Sequence, residues 1–590
     1  MRCVWHHVSA SGSSLIHPTR ADANRVFGHG EVEIPKCLAR LSEMHFRHVV
    51  LAMSFMACGG GGAMAHVHGD GDDAHGHDAL GFDGNDDLFD VGSADVTYDQ
   101  AVQKSIHNAY ERNEPLLDQL VYHRVRSLEL DIHVRREGAV APTGDWFVYH
   151  EDNPVMRRSS CAQLTDCLGQ LAAFHRAVPK HEVVTLFVDL KEAFEYGHQP
   201  RHLDATLAKV LGRENIVTPS DLVDACPGAS TVREAVSGTC SFPTLRALRG
   251  KFVVVTTGGT ACNESSLVSR YAGTDPVARL AFAGPNVDAS CPVAAYDTKP
   301  DVVFFNLSFD ERARARELRA RNLVTRIYRG GVPGGLATGQ EFEAARLAGA
   351  THLATDKTSF EQDTWAASHG PRGFPFNCES CGDDLVEAGP MLGVQATSGD
   401  QWGTSDSGFF AFENDPSDAS WGALVSVPSS HVARFAKACL VARESDAPDA
   451  ANVSVCRTFD ANPPRAQVRR QTGAPTTSTT APSFDGLTAE APAFLRLSVR
   501  TLGSGSTVTA SVSRDGKTWL PITTTTLAVP LPVRGIAVSS HTSSAKVKAL
   551  FANLARTKDG STTTVTTAAL QQKALGAGAT GAVFDGVFGL

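Results

Sequence analysis

From about residue 96 to 365, short apolar runs alternate with amphipathic stretches. QKSIHN, SLELDIHV, WFVYHE, VVTLFVDL, KFVVVTTG, DVVFFNLS, LVTRIY and THLATD are rich in Val, Phe, Ile and Leu and read as strands. PLLDQLVYH, CAQLTDCLGQLAAFH, LDATLAKVLG, DERARARELRARN and EFEAARLAG carry the spacing of helices. Such alternation predicts parallel βα units. The number and spacing of strands suit an α/β, TIM-type closed barrel over 96–365, with its site at the carboxyl ends of the strands. In SLELDI, Leu128, Leu130 and Ile132 alternate with Glu129 and Asp131, so both acids share the face opposite the apolar one. The alternation alone fits a solvent-facing side; the barrel turns it inward.

Past about 366 the helical period fades. GALVSVPS, NVSVCRTF, AFLRLSVRT, TVTASVSRDGKTWLPI, VRGIAVSSH and KVKALFANLA alternate with period two, and Asp515-Gly516 marks a hairpin. An all-β sandwich is expected over 390–556. A cysteine-containing linker (366–389) precedes it, and a tail (557–590) follows, read as disordered or a weak strand. DQWGTSDSGFFAF, LVARES, FLRLSVR, VSRDGKTWLPI and FANLAR resemble concanavalin-like jelly-roll modules of secreted bacterial enzymes. That resemblance implies a jelly roll and, for some members, a carbohydrate ligand. The break in texture near 366 predicts that the sandwich is separable from catalysis.

The 590 residues exceed one ordinary core, which agrees with this division. The net charge of −10 argues against nucleic acid and against general attraction to anionic lipid, so any lipid must be recognised by a local pocket. From Met44, MHFRHVVLAMSFMACGGGG carries a short basic stretch, then an apolar run from Val49 to Ala57. Residues 1–58 therefore read as a leader and export signal, with Cys58 a candidate lipidation site. Residues 59–95 are a His/Gly/Asp-rich linker; His66, His68, His75 and His77 are loose metal-binding candidates, though a solvated tether is the simpler reading. No other stretch approaches the roughly 18 apolar residues of a membrane span.

Of thirteen cysteines, ten follow Cys58. They fall as close neighbours: Cys161 and Cys167, Cys226 and Cys240, Cys262 and Cys291, Cys378 and Cys381, Cys439 and Cys456. An even set in an exported chain suggests disulfides, with nearest-neighbour pairing the simplest connectivity.

The chemistry gathers within one stretch: His107 and Asn108 in SIHNAY, Glu129 and Asp131 in SLELDIHV, His150 in WFVYHEDN, and Asp189 and Lys191 in VVTLFVDLKE. Two histidines and three carboxylates on successive strand-like segments are the parts of metal-assisted phosphodiester cleavage. In order and spacing, SIHNAY, DQLVYHRVRSLELDI, VYH, CAQLTDCLGQL and the acid-x-Lys strand resemble the calcium-dependent phosphatidylinositol-specific phospholipase C family, in particular its secreted bacterial branch.

The resemblance implies Ca2+ held by Asn108, Glu129, Asp131 and Asp189; that fourth ligand is often the longer Glu in the family. His107 would stabilise the phosphoryl oxygens, His150 would protonate the leaving group, and Glu129 would act as base. Lys191 is a phosphate partner. Ser308 in NLSFDE, and Arg326 with Tyr328 in TRIYRG, resemble substrate-contact segments of the eukaryotic phospholipases C. Val255 and Thr257 stand where lysines for extra ring phosphates are expected, which favours an unphosphorylated inositol head group. The expected protein is an exported, monomeric phosphodiesterase meeting phospholipid or another phosphodiester at a membrane surface. Glycerophosphodiester phosphodiesterases use a similar order of residues and are the rival. A surface binding protein with a degenerate barrel is the alternative of another class.

Overall fold

The computed structural model describes residues 96–585 except 260, 331–333, 359–364, 366–390, 428–434, 460–462, 483–492, 543–544 and 577–578. The expected export signal, Cys58, the histidine-rich linker and the Cys378/Cys381 pair lie outside the described residues.

Eight parallel staves close on themselves. They are β1 (Gln103–Ile106), β2 (Ser127–His133), β3 (Val184–Leu190), β4 (Phe252–Thr257), β5 (Phe282–Ala283 continued by Asn286–Val287), β6 (Phe304–Ser308), β7 (Val324–Tyr328) and β8 (His352–Thr355). β8 returns to β1 through Gln103↔His352. β5 joins β4 through Val255↔Phe282 and β6 through Asn286↔Asn306. A parallel barrel of TIM type therefore holds, with one exchange of parts. WFVYHE is no stave: Phe147–Val148 is a short strand running antiparallel to β2. The stave missing from the sequence reading is β5, hidden in LAFAGPNVDA. Gly284-Pro285 breaks its alternation and reads as a turn. The backbone nevertheless bridges both neighbours, Gly284 N donating to Thr256 O at 2.9 Å and Pro285 O accepting from Asn306 N at 3.0 Å. Only glycine fits here, because a Cβ would approach Val255 Cγ1 to 2.5 Å.

Helices α1 (Leu116–Val121), α2 (Leu164–Ala177) and α3 (Pro200–Leu211) bury their apolar faces over Leu128, Leu130 and Ile132 of β2. Glu129 and Asp131 on the opposite face are buried as well, inside the ring.

Two antiparallel sheets follow. One runs in the order Thr477–Thr480, Arg465–Arg469, Asn452–Thr458, Lys437–Arg443, Val533–Ser539, Gly408–Asn414, Gln571–Leu575. The other runs Leu520–Leu527, Gly505–Ser513, Ala493–Leu502, Ala419–Ser426, Lys546–Lys558, Met391–Thr397, Thr580–Asp585. Val394, Trp421, Leu440, Val455, Leu497 and Phe551 fill the space between them. The Asp515-Gly516 turn forms as read: Asp515 Oδ1 accepts from the backbone of Lys517 and Thr518, and Gly516 takes φ +70. Of the two readings of the tail, the strand holds over its described part. The tail supplies an edge strand to each sheet, Gln571–Leu575 against Gly408–Asn414 and Thr580–Asp585 against Met391–Thr397. Leu570, Leu575 and Val583 are its buried anchors, too sparse to show as a period among Thr, Ala and Gly.

The sandwich is not an independent body. Met391, Leu424, Phe494, Leu550 and Ala552 share one apolar cluster with the barrel's Leu116 and Leu164. Within this seam the fully buried Asp118 of α1 takes both arms of Arg457, at 2.7 and 2.5 Å, and the Ser426 hydroxyl at 2.7 Å. Barrel and sandwich therefore share part of their core. Four nearest-neighbour disulfides form: Cys161–Cys167, Cys226–Cys240, Cys262–Cys291 and Cys439–Cys456. Among the described residues no helix is long and apolar enough to cross a membrane.

Candidate active site

The residues singled out in the sequence converge at the carboxyl end of the barrel. His107 and Asn108 leave β1 in a tight turn. Asn108 takes the left-handed conformation at φ 47, which Asn tolerates better than most residues. That turn directs the Asn108 amide N onto Glu129 Oε2 at 3.1 Å. Register places Asp131 beside Asp189 and Asp189 beside Thr257, so β2, β3 and β4 present one polar row. Phe187 and Val255 lie one layer down, buried in the interior.

Each carboxylate has a cationic partner. Arg326 donates to Glu129 at 2.6 Å, and Lys191 Nζ lies 3.2 Å from Asp131 and 2.6 Å from Asp189. His107 Nδ1 bonds Asp356 at 2.9 Å and turns Nε2 toward Glu129 at 3.9 Å. His150, on the loop after Phe147–Val148, sets Nδ1 3.2 Å from Asp131 and 3.1 Å from Asn108 Nδ2. Its Nε2 has no bonded partner among the described residues.

These neighbours bias both rings toward the charged form. Burial lowers the His107 pKa, but Glu129 and Asp356 together outweigh it and leave it raised. For His150 the hydrogen bond it donates to Asp131 dominates and raises the pKa against partial burial. Burial would also discharge Lys191, yet Asp189 and Asp131 hold it firmly protonated. Tyr328 stands beside Arg326, whose guanidinium carbon is 5.7 Å from its ring; burial pushes that phenol up to about 12. Ser308 lies opposite Tyr328 in register, but among the described residues no hydrogen bond joins it to the cluster.

Several members escaped the sequence reading. Asp356 follows β8 as His107 follows β1, so the barrel rule alone would have flagged it. Asn306 and Asn286 form a chain behind Arg326: Arg326 donates to Asn306 Oδ1 at 2.9 Å, and Asn306 Nδ2 to Asn286 Oδ1 at 2.7 Å. Glu111 accepts from Asn108 Nδ2 at 3.1 Å, and Thr257 donates to Asp189 at 3.0 Å. Asn306 and Asn286 read as ordinary strand residues in sequence, and Thr257 only as a position without the expected lysine; closure of the ring makes them neighbours of the cluster.

Asn108, Glu129, Asp131 and Asp189 offer an all-oxygen donor set that suits a hard cation. Glu111, Glu129, Asp131, Asp189 and Asp356 also outnumber the permanent cations Arg112, Lys191 and Arg326 paired with them. As they stand, these acids are drawn onto Lys191 and Arg326. Among the described residues no three His, Cys, Asp or Glu are grouped as ready-made ligands. A divalent ion would compete with Lys191 for Asp131 and Asp189.

No protein-family model matches the chain, and no curated protein matches it. Among solved structures, a calcium-dependent phosphoinositol-specific phospholipase C from the Gram-negative bacterium Pseudomonas sp. aligns in its apo form over 46% of this chain and 93% of its own, at 21% identity and TM-score 0.38. A second crystal form aligns over the same shares at 20% and 0.39. A functionally unknown protein from Saccharomyces cerevisiae aligns over 28% of this chain and 87% of its own, at 15% identity and TM-score 0.20.

Proposed function

We propose that this chain is an exported phosphodiesterase of the phospholipase C type, acting on phosphatidylinositol-like substrates. One observation carries the reading. Two histidines stand at the mouth of the barrel, each held by its own carboxylate, His107 by Asp356 and turned toward the Glu129–Arg326 pair, His150 by Asp131 beside Lys191 and Asp189.

In this reading Glu129 takes the proton of the attacking substrate hydroxyl. The oxygen closes on phosphorus, and the leaving oxygen departs with a proton from His150 Nε2. His107 donates from Nε2 to a phosphoryl oxygen, steadied through Nδ1 by Asp356. Lys191 and Arg326 balance the phosphate charge, and Tyr328 packs against the head group. The product is a cyclic phosphate, which water then opens. Calcium, held by Asn108, Glu129, Asp131 and Asp189, would neutralise charge on the phosphorane. The four disulfides suit an oxidising compartment, in line with export.

The test is turnover of phosphatidylinositol, its bisphosphate and glycerophosphoinositol by the purified chain, with and without a calcium chelator. Phosphatidylinositol should be cleaved best, because Val255 is apolar and Thr257 is spent on Asp189. Preference for glycerophosphoinositol would assign the chain to the rival phosphodiesterases. Calcium should also raise the melting temperature of His150→Ala, a readout independent of activity. If calcium leaves that temperature unchanged and chelator leaves turnover intact, the metal is removed from the scheme.

A further inference from the structure

We infer that Asn286 and Asn306 are positioning residues, which fix the aim of Arg326 on Glu129 through a one-way chain of hydrogen bonds rooted in the backbone of the loop after β4. The inference deepens the phosphodiesterase reading and rests on it.

Asn286 Nδ2 donates to Gly259 O at 2.9 Å, and Asn306 Nδ2 donates to Asn286 Oδ1 at 2.7 Å. Arg326 donates through one terminal nitrogen to Asn306 Oδ1 at 2.9 Å and through the other to Glu129 Oε2 at 2.6 Å. The direction of this chain is forced from both ends. A backbone carbonyl only accepts, and a guanidinium only donates. Each amide between them therefore has one orientation, its amino group toward Gly259 and its oxygen toward Arg326. A flip of either would set two donors or two acceptors against each other.

The row is also held by the barrel. Register sets Asn286 of β5 opposite Asn306 of β6, and Asn306 opposite Arg326 of β7. The loop at its root is pinned. Gly258 takes φ +113, and a Cβ there would meet Leu190 O at 2.3 Å and Asp189 Oδ1 at 3.0 Å. Farther along the same loop, Cys262 is disulfide-bonded to Cys291. One turn thus backs Asp189 on one side and roots the chain to Arg326 on the other.

Arg326 needs such a hold. It is buried, with its guanidinium carbon 5.0 Å from the Phe187 ring and 5.7 Å from the Tyr328 ring. Rings steady the plane of the fork but leave it free to turn within that plane. A bond to the second arm stops the turn. A neutral amide suits this task, because it accepts from Arg326 without competing for its charge. A carboxylate at 306 would draw the fork from Glu129, and an apolar side chain would leave the arm unpaired.

The experiment is a double-mutant cycle on phosphatidylinositol turnover by the full chain, with melting temperatures to confirm folding. Asn306→Leu should lower kcat by about 10²-fold, the scale of a misplaced catalytic group, with little change in KM. Asn286→Leu should lower it by about tenfold. The double variant should lose no more than Asn306→Leu alone, because a chain cut at 306 no longer transmits anything from 286. Asn306→Asp keeps the size and the bond to Arg326, so it serves if Asn306→Leu fails to fold. Its new carboxylate competes for Arg326 and repels Glu129, so the acidic limb of its pH–rate profile should move to higher pH, which a purely structural residue would not cause. Additive losses in the cycle, or an unmoved acidic limb in Asn306→Asp, overturn the inference alone. A wild-type chain inactive on both phosphatidylinositol and glycerophosphoinositol overturns the phosphodiesterase reading and this inference with it.

Discussion

Two of the buried charge clusters among the described residues differ in what is left over. In the sandwich, Asp406 is gripped by Arg443 at 2.5 Å, by both arms of Arg469 at 2.7 and 3.0 Å, and by Asn452 at 3.1 Å. The remaining arginine hydrogens go largely to backbone carbonyls of Ala447, Pro448 and Ala450. All four side chains are buried, and the cluster staples a hairpin to the sheet. At the barrel mouth similar groups meet less completely: His107 Nε2 stands 3.9 Å from its acid, and His150 remains partly open to solvent. In the structural cluster the carboxylate is saturated by its partners; groups held in place around a carboxylate yet left with bonding capacity toward solvent mark a chemical one.

The sharpest way to break this comparison is on the rate. His107→Ala and His150→Ala should each lower kcat by about 10²–10⁴-fold with little change in melting temperature. A substrate with a much better leaving group should partly rescue His150→Ala alone. Equal loss on both substrates would take the acid role away from His150.

Asp406→Ala should do the reverse. It leaves two buried guanidinium groups unpaired, a change on the order of 3–5 kcal/mol in denaturant unfolding, while kcat per folded molecule stays unchanged. Strong loss of kcat with unaltered stability would dissolve the distinction.

Asp118→Ala tests the seam between barrel and sandwich and should cost about 3 kcal/mol, because Arg457 is left buried and unpaired. Ser426→Ala removes one hydrogen bond to the same carboxylate and should cost about 1 kcal/mol. If the barrel and sandwich of Asp118→Ala melt in two well-separated transitions, the seam is what couples them; a single transition at the native temperature would mean that Asp118 contributes nothing. The smallest effect is expected from Thr257→Val, which frees Asp189 from one hydrogen bond: less than about tenfold in kcat/KM.

Much of the candidate site was legible because its chemistry is local in sequence. The Glu129/Asp131 alternation, the turn after His107 and the acid-x-Lys ending of β3 each sit within a few residues of a strand end. The structure brings together His107, Asn108, Glu129, Asp131, His150, Asp189, Lys191 and Arg326, while Ser308 stays at the edge. What was missed is mostly non-local: Asn306, and the bond from Thr257 to Asp189, matter only through partners 20 and 68 residues away, and Asp356, although at a strand end, acts on His107 249 residues away.

The sequence by itself determined seven of the eight staves, the longer helices between them, the Asp515-Gly516 hairpin, the nearest-neighbour disulfides among the described cysteines and the facing of the two acids on β2. These depend on side-chain period and backbone preference, which act over a few residues. Tertiary structure alone decided that LAFAGPNVDA completes the ring and that the polar tail finishes both sheets. It also decided that Asp118 welds the barrel to the sandwich. A stave or an edge strand is stabilised by the hydrogen-bonding partners waiting on either side, and a buried carboxylate by an arginine 339 residues distant. Neither leaves a trace in local composition, because the free energy lies in the contact rather than in the segment.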